Sequence, residues 1–199
     1  LSLRNSAENY GTIAKWLHWA TALLFLCAYC SVYYRHWFTE KGTAENWTAL
    51  QMHLSVGVSI AVLVILRVIW RLSNPQPKLE PASPLMTFAA HAGHFALYAI
   101  MIIAPLTGYL GTSVNTEFFF LFEIPQFEHT ALFQSWISQG LGLTFEEFEQ
   151  PIDFIHKQIL GQWLIWVLIL GHAGAALYHH FIKKDRTLLK MTTGQDQPK

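Results

Sequence analysis

The stretch from His156 to His180 reads HKQILGQWLIWVLILGHAGAALYHH. It is free of charge between Ile159 and Gly171, yet His156 stands at its start and His172, His179 and His180 toward its end. Ionisable side chains at membrane depth are costly and tend to be functional. The sixteen residues from His156 to His172 rise about 24 Å as a helix. One helix therefore offers an imidazole near each face of a bilayer. Imidazole binds metal in its neutral form, so burial is compatible with ligation. Two imidazoles from facing helices are the usual axial arrangement of an electron-transfer haem. The expected chemistry is electron transfer through two haems, one above the other.

Those histidines need helices to hold them. The chain has 199 residues, 52% of them hydrophobic and 13% charged, with zero formal net charge. That is too apolar for an ordinary soluble domain, and the balanced charge gives no reason to expect a nucleic-acid partner. Four apolar stretches are long enough to cross about 30 Å of hydrocarbon. The first runs from about Ala14 to Tyr34, with His18 one turn inside it. Trp16 and Trp19 mark its entry and Tyr33 and Tyr34 its exit, since these side chains favour the interface. The second runs from about His53 to Leu72 and carries Arg67 and Arg71 near its end, one turn apart on one face. The third runs from about Phe88 to Thr112, with His91 and His94 near its start and Pro105 as a candidate kink. The His156–His180 stretch is the fourth. Residues 113–155 form a long connection rich in Phe and Glu, expected to make short elements at the membrane surface.

The expected fold is thus an all-α integral membrane protein, a four-transmembrane-helix bundle with a long periplasmic loop between helices 3 and 4. Residues 1–190 read as a single transmembrane domain and 191–199 as a polar, disordered tail. Cys27 and Cys30 form a C-x-x-C inside the first span. With no second pair and no C-x-x-C-H, they read as small packing residues.

Charge orders the two ends. Arg4, Lys15, Arg67, Arg71, Lys78, Lys183, Lys184, Arg186 and Lys190 collect on one side, whereas Arg35, Lys41 and Lys157 lie on the other with most of the acidic residues. The positive-inside rule puts both termini in the cytoplasm. In a bacterial inner membrane the long loop then faces the periplasm. His18 and His172 share the inner depth, and His53 and His156 the outer. A proton relay or plain packing competes with haem ligation, and a haem-free proton-coupled transporter is the rival function. His91, His94, His179 and His180 remain further candidates for the inner ligands. His36 and His129 fall in outer loops. Arg67 and Arg71 suit haem propionates, or simply mark the cytoplasmic end.

RNSAENYGTIAKWLHW, MHLSVGVSIAVLVILRVIWRL, AHAGHFALYAIMIIAPLTGYL and HAGAALYHHFIKKDRTLLKM resemble the bacterial cytochrome b-561 family of dihaem membrane cytochromes, over all four spans and the final tail. The resemblance implies two haem b groups ligated by His18, His53, His156 and His172. It implies electron transfer between a periplasmic donor and the membrane quinone pool; some members of the family oxidise superoxide and reduce ubiquinone. It also implies quinone chemistry near His179, whose imidazole suits proton donation near neutral pH. A superoxide anion would be steered by a basic outer surface. Here that surface carries Glu117, Glu123, Glu128, Glu146, Glu147, Glu149 and Asp153, which suits a basic periplasmic redox protein. The alternative function is accordingly a cytochrome b subunit that serves a separate redox protein. One departure stands out: the family spaces the two ligands of the last span two residues closer. Sixteen residues at about 100° each leave His156 and His172 roughly 160° apart on a regular helix. A bulge or a late helix start near Gly161 is expected to restore the direction.

Overall fold

The computed structural model describes residues 2–194, so residues 195–199 of the expected tail lie outside the described residues. Among the described residues, four helices are long and apolar enough to cross a membrane. The first three are α1 (Thr12–Phe38), α2 (Ala44–Ser73) and α3 (Pro84–Leu110). A surface segment follows. It holds a hairpin of β1 (Thr116–Phe118) and β2 (Phe122–Ile124), a 3-10 turn at Phe127–His129, a π-helical stretch at Phe133–Ser138 and the single turn α4 (Gln139–Leu141). The last long helix is composite. It joins α5 (Phe145–Phe154), a π-helical segment (Ile155–Leu164), α6 (Ile165–Tyr178) and a π-helical end (His179–Lys183). A short α7 (Thr187–Met191) closes the fold.

Local chemistry explains the boundaries. Thr43 and Ser83 cap α2 and α3 by accepting from the N–H groups of Asn46 and Met86, and Pro84 opens α3 where its missing N–H costs nothing. Pro105 is accommodated inside α3, which continues to Leu110. The fourth long helix starts well before the apolar stretch that betrays it in the sequence. Thr144 and Glu147 form a reciprocal capping box, so a polar helical extension, α5, leads into the span. Residues 145–155, expected in the loop, are therefore helix.

The hairpin is held to α2 by two fully buried side chains. Gln51 donates to the Asn115 carbonyl at 3.0 Å and accepts from the Glu117 N–H at 2.8 Å. Ser55 accepts from the Phe119 N–H at 2.9 Å. Non-helical backbone near a membrane has to be satisfied by protein in this way. The strands pair antiparallel, Glu117 opposite Glu123, around a turn where Phe119 and Phe120 take left-handed φ values of 46° and 60°.

Inside the bundle, Val56, Ile60, Val64 and Met101 form one buried cluster, and Ile100, Ala104, Leu160 and Ile165 another. Phe25 of α1 packs against both. Large apolar side chains such as Leu26, Ile65, Leu72 and Val167 point outward, the arrangement lipid requires, since packing rather than water exclusion joins helices there. Cys27 and Cys30 are free thiols on an exposed face of α1. At the end that carries the termini, Met191 and Thr192 are fastened to α1. The Trp19 indole donates to the Met191 carbonyl at 3.0 Å and Lys15 to the Thr192 carbonyl at 2.9 Å. Lys190, itself buried, pairs with Glu80 at 2.5 Å and donates to the Lys78 carbonyl at 2.7 Å.

Candidate functional site

Two imidazole pairs face each other at opposite ends of the bundle interior. At the hairpin end, His53 of α2 and His156 of the π-helical segment have ring centres 6.2 Å apart. At the terminal end, His18 of α1 and His172 of α6 have ring centres 6.1 Å apart. A metal bound between two ring nitrogens, with bonds of about 2 Å and about 1.2 Å from each nitrogen to its ring centre, needs roughly 6.4 Å. Both distances lie close to that value. A Cβ placed on half-buried Gly57, one turn beyond His53, would meet no heavy atom within 4 Å.

The π-helical segment accounts for the direction of His156. An i→i+5 turn takes up one more residue than a regular turn. Ten residues, Ile155–Leu164, hold about two such turns and absorb about two residues. The sixteen-residue interval then points its two ends as fourteen would, roughly 40° apart instead of 160°. Gly161 sits where this winding brings the His156 carbonyl close, since a Cβ there would lie 3.0 Å from that oxygen. The expected departure from regular helix is present.

Partners fix the outer rings. His53 donates from Nδ1 to the Ala28 carbonyl at 3.0 Å, and His156 from Nδ1 to the Ala104 carbonyl at 3.0 Å, with the Thr107 hydroxyl at 3.2 Å. A carbonyl only accepts, so both protons lie on Nδ1 and both Nε2 lone pairs are free to ligate. Gly108 makes room for the His156 ring, as a Cβ there would stand 3.0 Å from Cε1.

The inner end is more crowded. His94 of α3 also reaches His172, ring centres 5.6 Å apart, so three histidines meet there. Arg67 donates from Nη2 to His18 Nδ1 at 3.0 Å and from Nη1 to Met101 Sδ at 3.6 Å, with its guanidinium 5.4 Å from the Tyr98 ring centre. Arg71 lies 5.2 Å from the same ring but donates outward to Gln76 Oε1 at 3.1 Å. Tyr10 lies near both arginines, and burial pushes its hydroxyl pKa up despite their charge.

His179 has a partner that sequence reasoning missed. Its Nδ1 pairs closely with the Asp185 carboxylate, whose other oxygen accepts from the Thr187 N–H at 2.9 Å. Burial opposes ionisation of Asp185, but the bonds from His179 and Thr187 outweigh it and hold its carboxyl below the usual range. The other candidates have local roles. His91 bonds the Thr87 carbonyl at 2.8 Å, His129 lies 3.3 Å from the Gln126 amide, and His180 packs edge-on against Phe181. Also missed were Tyr98, Met101, Thr107 and Gly108, which carry no motif of their own.

A family model described as prokaryotic cytochrome b561 matches residues 9–194. Among curated proteins, the chain is 30% identical to cytochrome b561 homolog 2 of Escherichia coli (strain K12), over 96% of this chain and 95% of that one. It is 30% identical to cytochrome b561 homolog 1 of the same organism, over 88% and 92%. It is 28% identical to the probable superoxide oxidase CybB of Yersinia pestis, over 92% and 96%.

Proposed function

Since the chain belongs to the prokaryotic cytochrome b561 family, a family of membrane electron-transfer proteins with b-type haem, we propose that each of its two imidazole pairs holds one haem b. The observation that carries this is the matched spacing of the pairs, 6.1 Å and 6.2 Å, at opposite ends of one bundle. His18 and His172 hold the inner group and His53 and His156 the outer. Bound haem supplies reversible one-electron chemistry at iron. The chain supplies the rest. The Ala28 and Ala104 carbonyls set the tautomers of the outer ligands, Phe25 and its neighbours fill the interior with apolar side chains, and Arg71, nearer the exposed end, offers its guanidinium to propionates.

The basic residues at the terminal end support, by the positive-inside rule, cytoplasmic termini in a bacterial inner membrane and a periplasmic hairpin. Residues 1–190 act as one dihaem domain, with 191–199 as its tail. With haem held at both pairs, an electron from a periplasmic donor would pass from the outer pair to the inner pair and on to membrane quinone. His179, oriented by Asp185, donates a proton to the quinone. With superoxide as donor and ubiquinone as acceptor the protein is an oxidoreductase, the activity that the name of the Yersinia pestis relative carries. The exposed Glu123, Glu146 and Glu147 of the periplasmic side favour a second reading, a cytochrome b subunit that takes electrons from a cationic redox protein.

Haem b per purified chain, from a pyridine haemochrome spectrum, tests the assignment: two are expected, and none in protein made with ample haem overturns it. A superoxide pulse in the presence of ubiquinone separates the two donors, since only the oxidoreductase shows haem reduction within the pulse.

A further inference from the structure

The two imidazole pairs differ in what stands beside them. The outer rings bond neutral acceptors, the carbonyls of Ala28 and Ala104 and the Thr107 hydroxyl, and the cation whose charge reaches His53, Arg35, makes no bond to either ring and donates to Asn46 Oδ1 at 3.2 Å instead. The inner rings share their pocket with a permanent cation. Arg67 is half-buried, and its guanidinium touches His18, Met101 and Tyr98 at once. No carboxylate pairs with it there among the described contacts. Its neighbour Arg71, one turn on, directs its charge to Gln76 at the exposed end. Arginine does not deprotonate in proteins, so the charge remains whatever the redox state of the site.

A fixed positive charge favours the state of a nearby centre that carries one more electron, and in a low-dielectric interior it does so strongly. We infer that Arg67 raises the electron affinity of the inner imidazole pair above that of the outer pair, and so gives transmembrane electron flow its inward direction. With haem held at both pairs the step would move one electron from the outer centre to the inner, oxidising the first and reducing the second, with no proton moved. Coordination through His18 Nε2 leaves a proton on Nδ1, where Arg67 now donates. The guanidinium then keeps its contacts with Met101 and Tyr98 and acts through its charge alone. Arg71 shares Tyr98 and its charge reaches His94, but it bonds outward to Gln76 rather than to His18, so its influence on the inner centre is the smaller.

The inference rests on one haem per imidazole pair, and haem content is therefore measured first in the purified full-length protein; fewer than two haems per chain is a failure of that assignment. Spectroelectrochemical titration then compares the parent with Arg67→Gln, Arg67→Met, Arg67→Lys and Arg71→Gln. In the two neutral Arg67 variants one midpoint falls by about 59 mV, a tenfold shift in the one-electron equilibrium, and the other midpoint stays. Arg67→Lys keeps most of the parent value, and Arg71→Gln lowers the same midpoint by less than the neutral Arg67 variants do. Unchanged midpoints in Arg67→Gln and Arg67→Met with both haems bound overturn the inference. So does an equal shift in Arg67→Lys, and so does loss of a haem from both neutral variants, which makes Arg67 a structural residue.

Discussion

Gly108 is the sharpest test of where the outer site lies. It sits on α3 under the His156 ring, and a Cβ added there would meet Cε1 at 3.0 Å, Nδ1 at 3.4 Å and Nε2 at 3.5 Å. Ordinary carbon contacts are about 3.5–4.0 Å, so the ring must retreat by roughly half an ångström. It cannot do so freely, because the Ala104 carbonyl holds Nδ1 at 3.0 Å. Overpacking of this kind costs about 1–3 kcal/mol. Set against haem retention at the outer pair, that is a roughly 5- to 150-fold weakening, at a factor of ten per 1.4 kcal/mol. The helix itself responds in the opposite sense, since replacing an interior glycine by alanine gains about 0.5–1 kcal/mol. Gly108→Ala should therefore leave the fold intact while loosening one haem, and Gly108→Leu should remove that haem outright. The assay is pyridine haemochrome stoichiometry together with the melting temperature of the purified protein. Two haems per chain with unchanged spectra in both variants would refute the placement of His156 as an outer ligand.

Gln51→Ala removes two of the hydrogen bonds that hold the hairpin backbone to α2, and a buried polar group left unpaired costs about 1–3 kcal/mol; limited proteolysis should cut faster between 113 and 126, with haem content unchanged, and an unaltered cleavage rate counts against the docking. Asp185 gives a pH dependence. Its carboxyl is depressed in the folded state, so the stability it contributes is present above the ordinary aspartate value of about 3.9 and fades as pH falls through the lowered folded value. Asp185→Asn should melt below the parent at neutral pH, the gap should close below about pH 4, and a gap that widens on acidification refutes the sign. The same variant should slow quinone reduction by electrons from the haems while leaving both haem spectra unchanged; a lost haem band instead would tie the His179–Asp185 pair to haem binding.

How much of this could be read from the sequence depended on what kind of signal each feature leaves. The spans were legible because lipid demands long runs of apolar residues, and depth paired His53 with His156 and His18 with His172 while leaving His91, His94, His179 and His180 open at the inner end. Helix ends were less so. Hydropathy ends where the bilayer ends, whereas α5 continues past it on polar residues; only Thr144 and Glu147, spaced as a capping box, announced the true start. Arg67 and Arg71 were inseparable in the sequence, one turn apart on one face. Their fates diverge because Arg67 lies at the depth of His18 while Arg71 reaches the turn at Gln76. His94 stayed open for a similar reason: a histidine near the start of a span has a depth but no neighbour until the helices pack. The acceptors that orient His53 and His156 are backbone carbonyls, which every residue carries and no sequence pattern marks.

The sixteen-residue interval shows how an insertion can be tolerated in a bundle whose chemistry depends on direction. Two extra residues in a regular helix would turn His156 away from His53 by about 200°. Sliding the whole helix to recover that pairing would carry His172 away from His18. Wider i→i+5 turns avoid the choice by absorbing the excess between Ile155 and Leu164, which leaves α6 in register with the inner pair. The distortion needs support, because a widened turn weakens local packing. Gly161 admits the close approach of the His156 carbonyl, and its own carbonyl accepts from the Tyr29 hydroxyl of α1 at 2.8 Å. Below it the Trp166 indole donates to Tyr33 at 3.0 Å. These two aromatic hydroxyls tie α1 to the distorted helix between the two imidazole pairs, where a slip in register would otherwise be transmitted from one to the other.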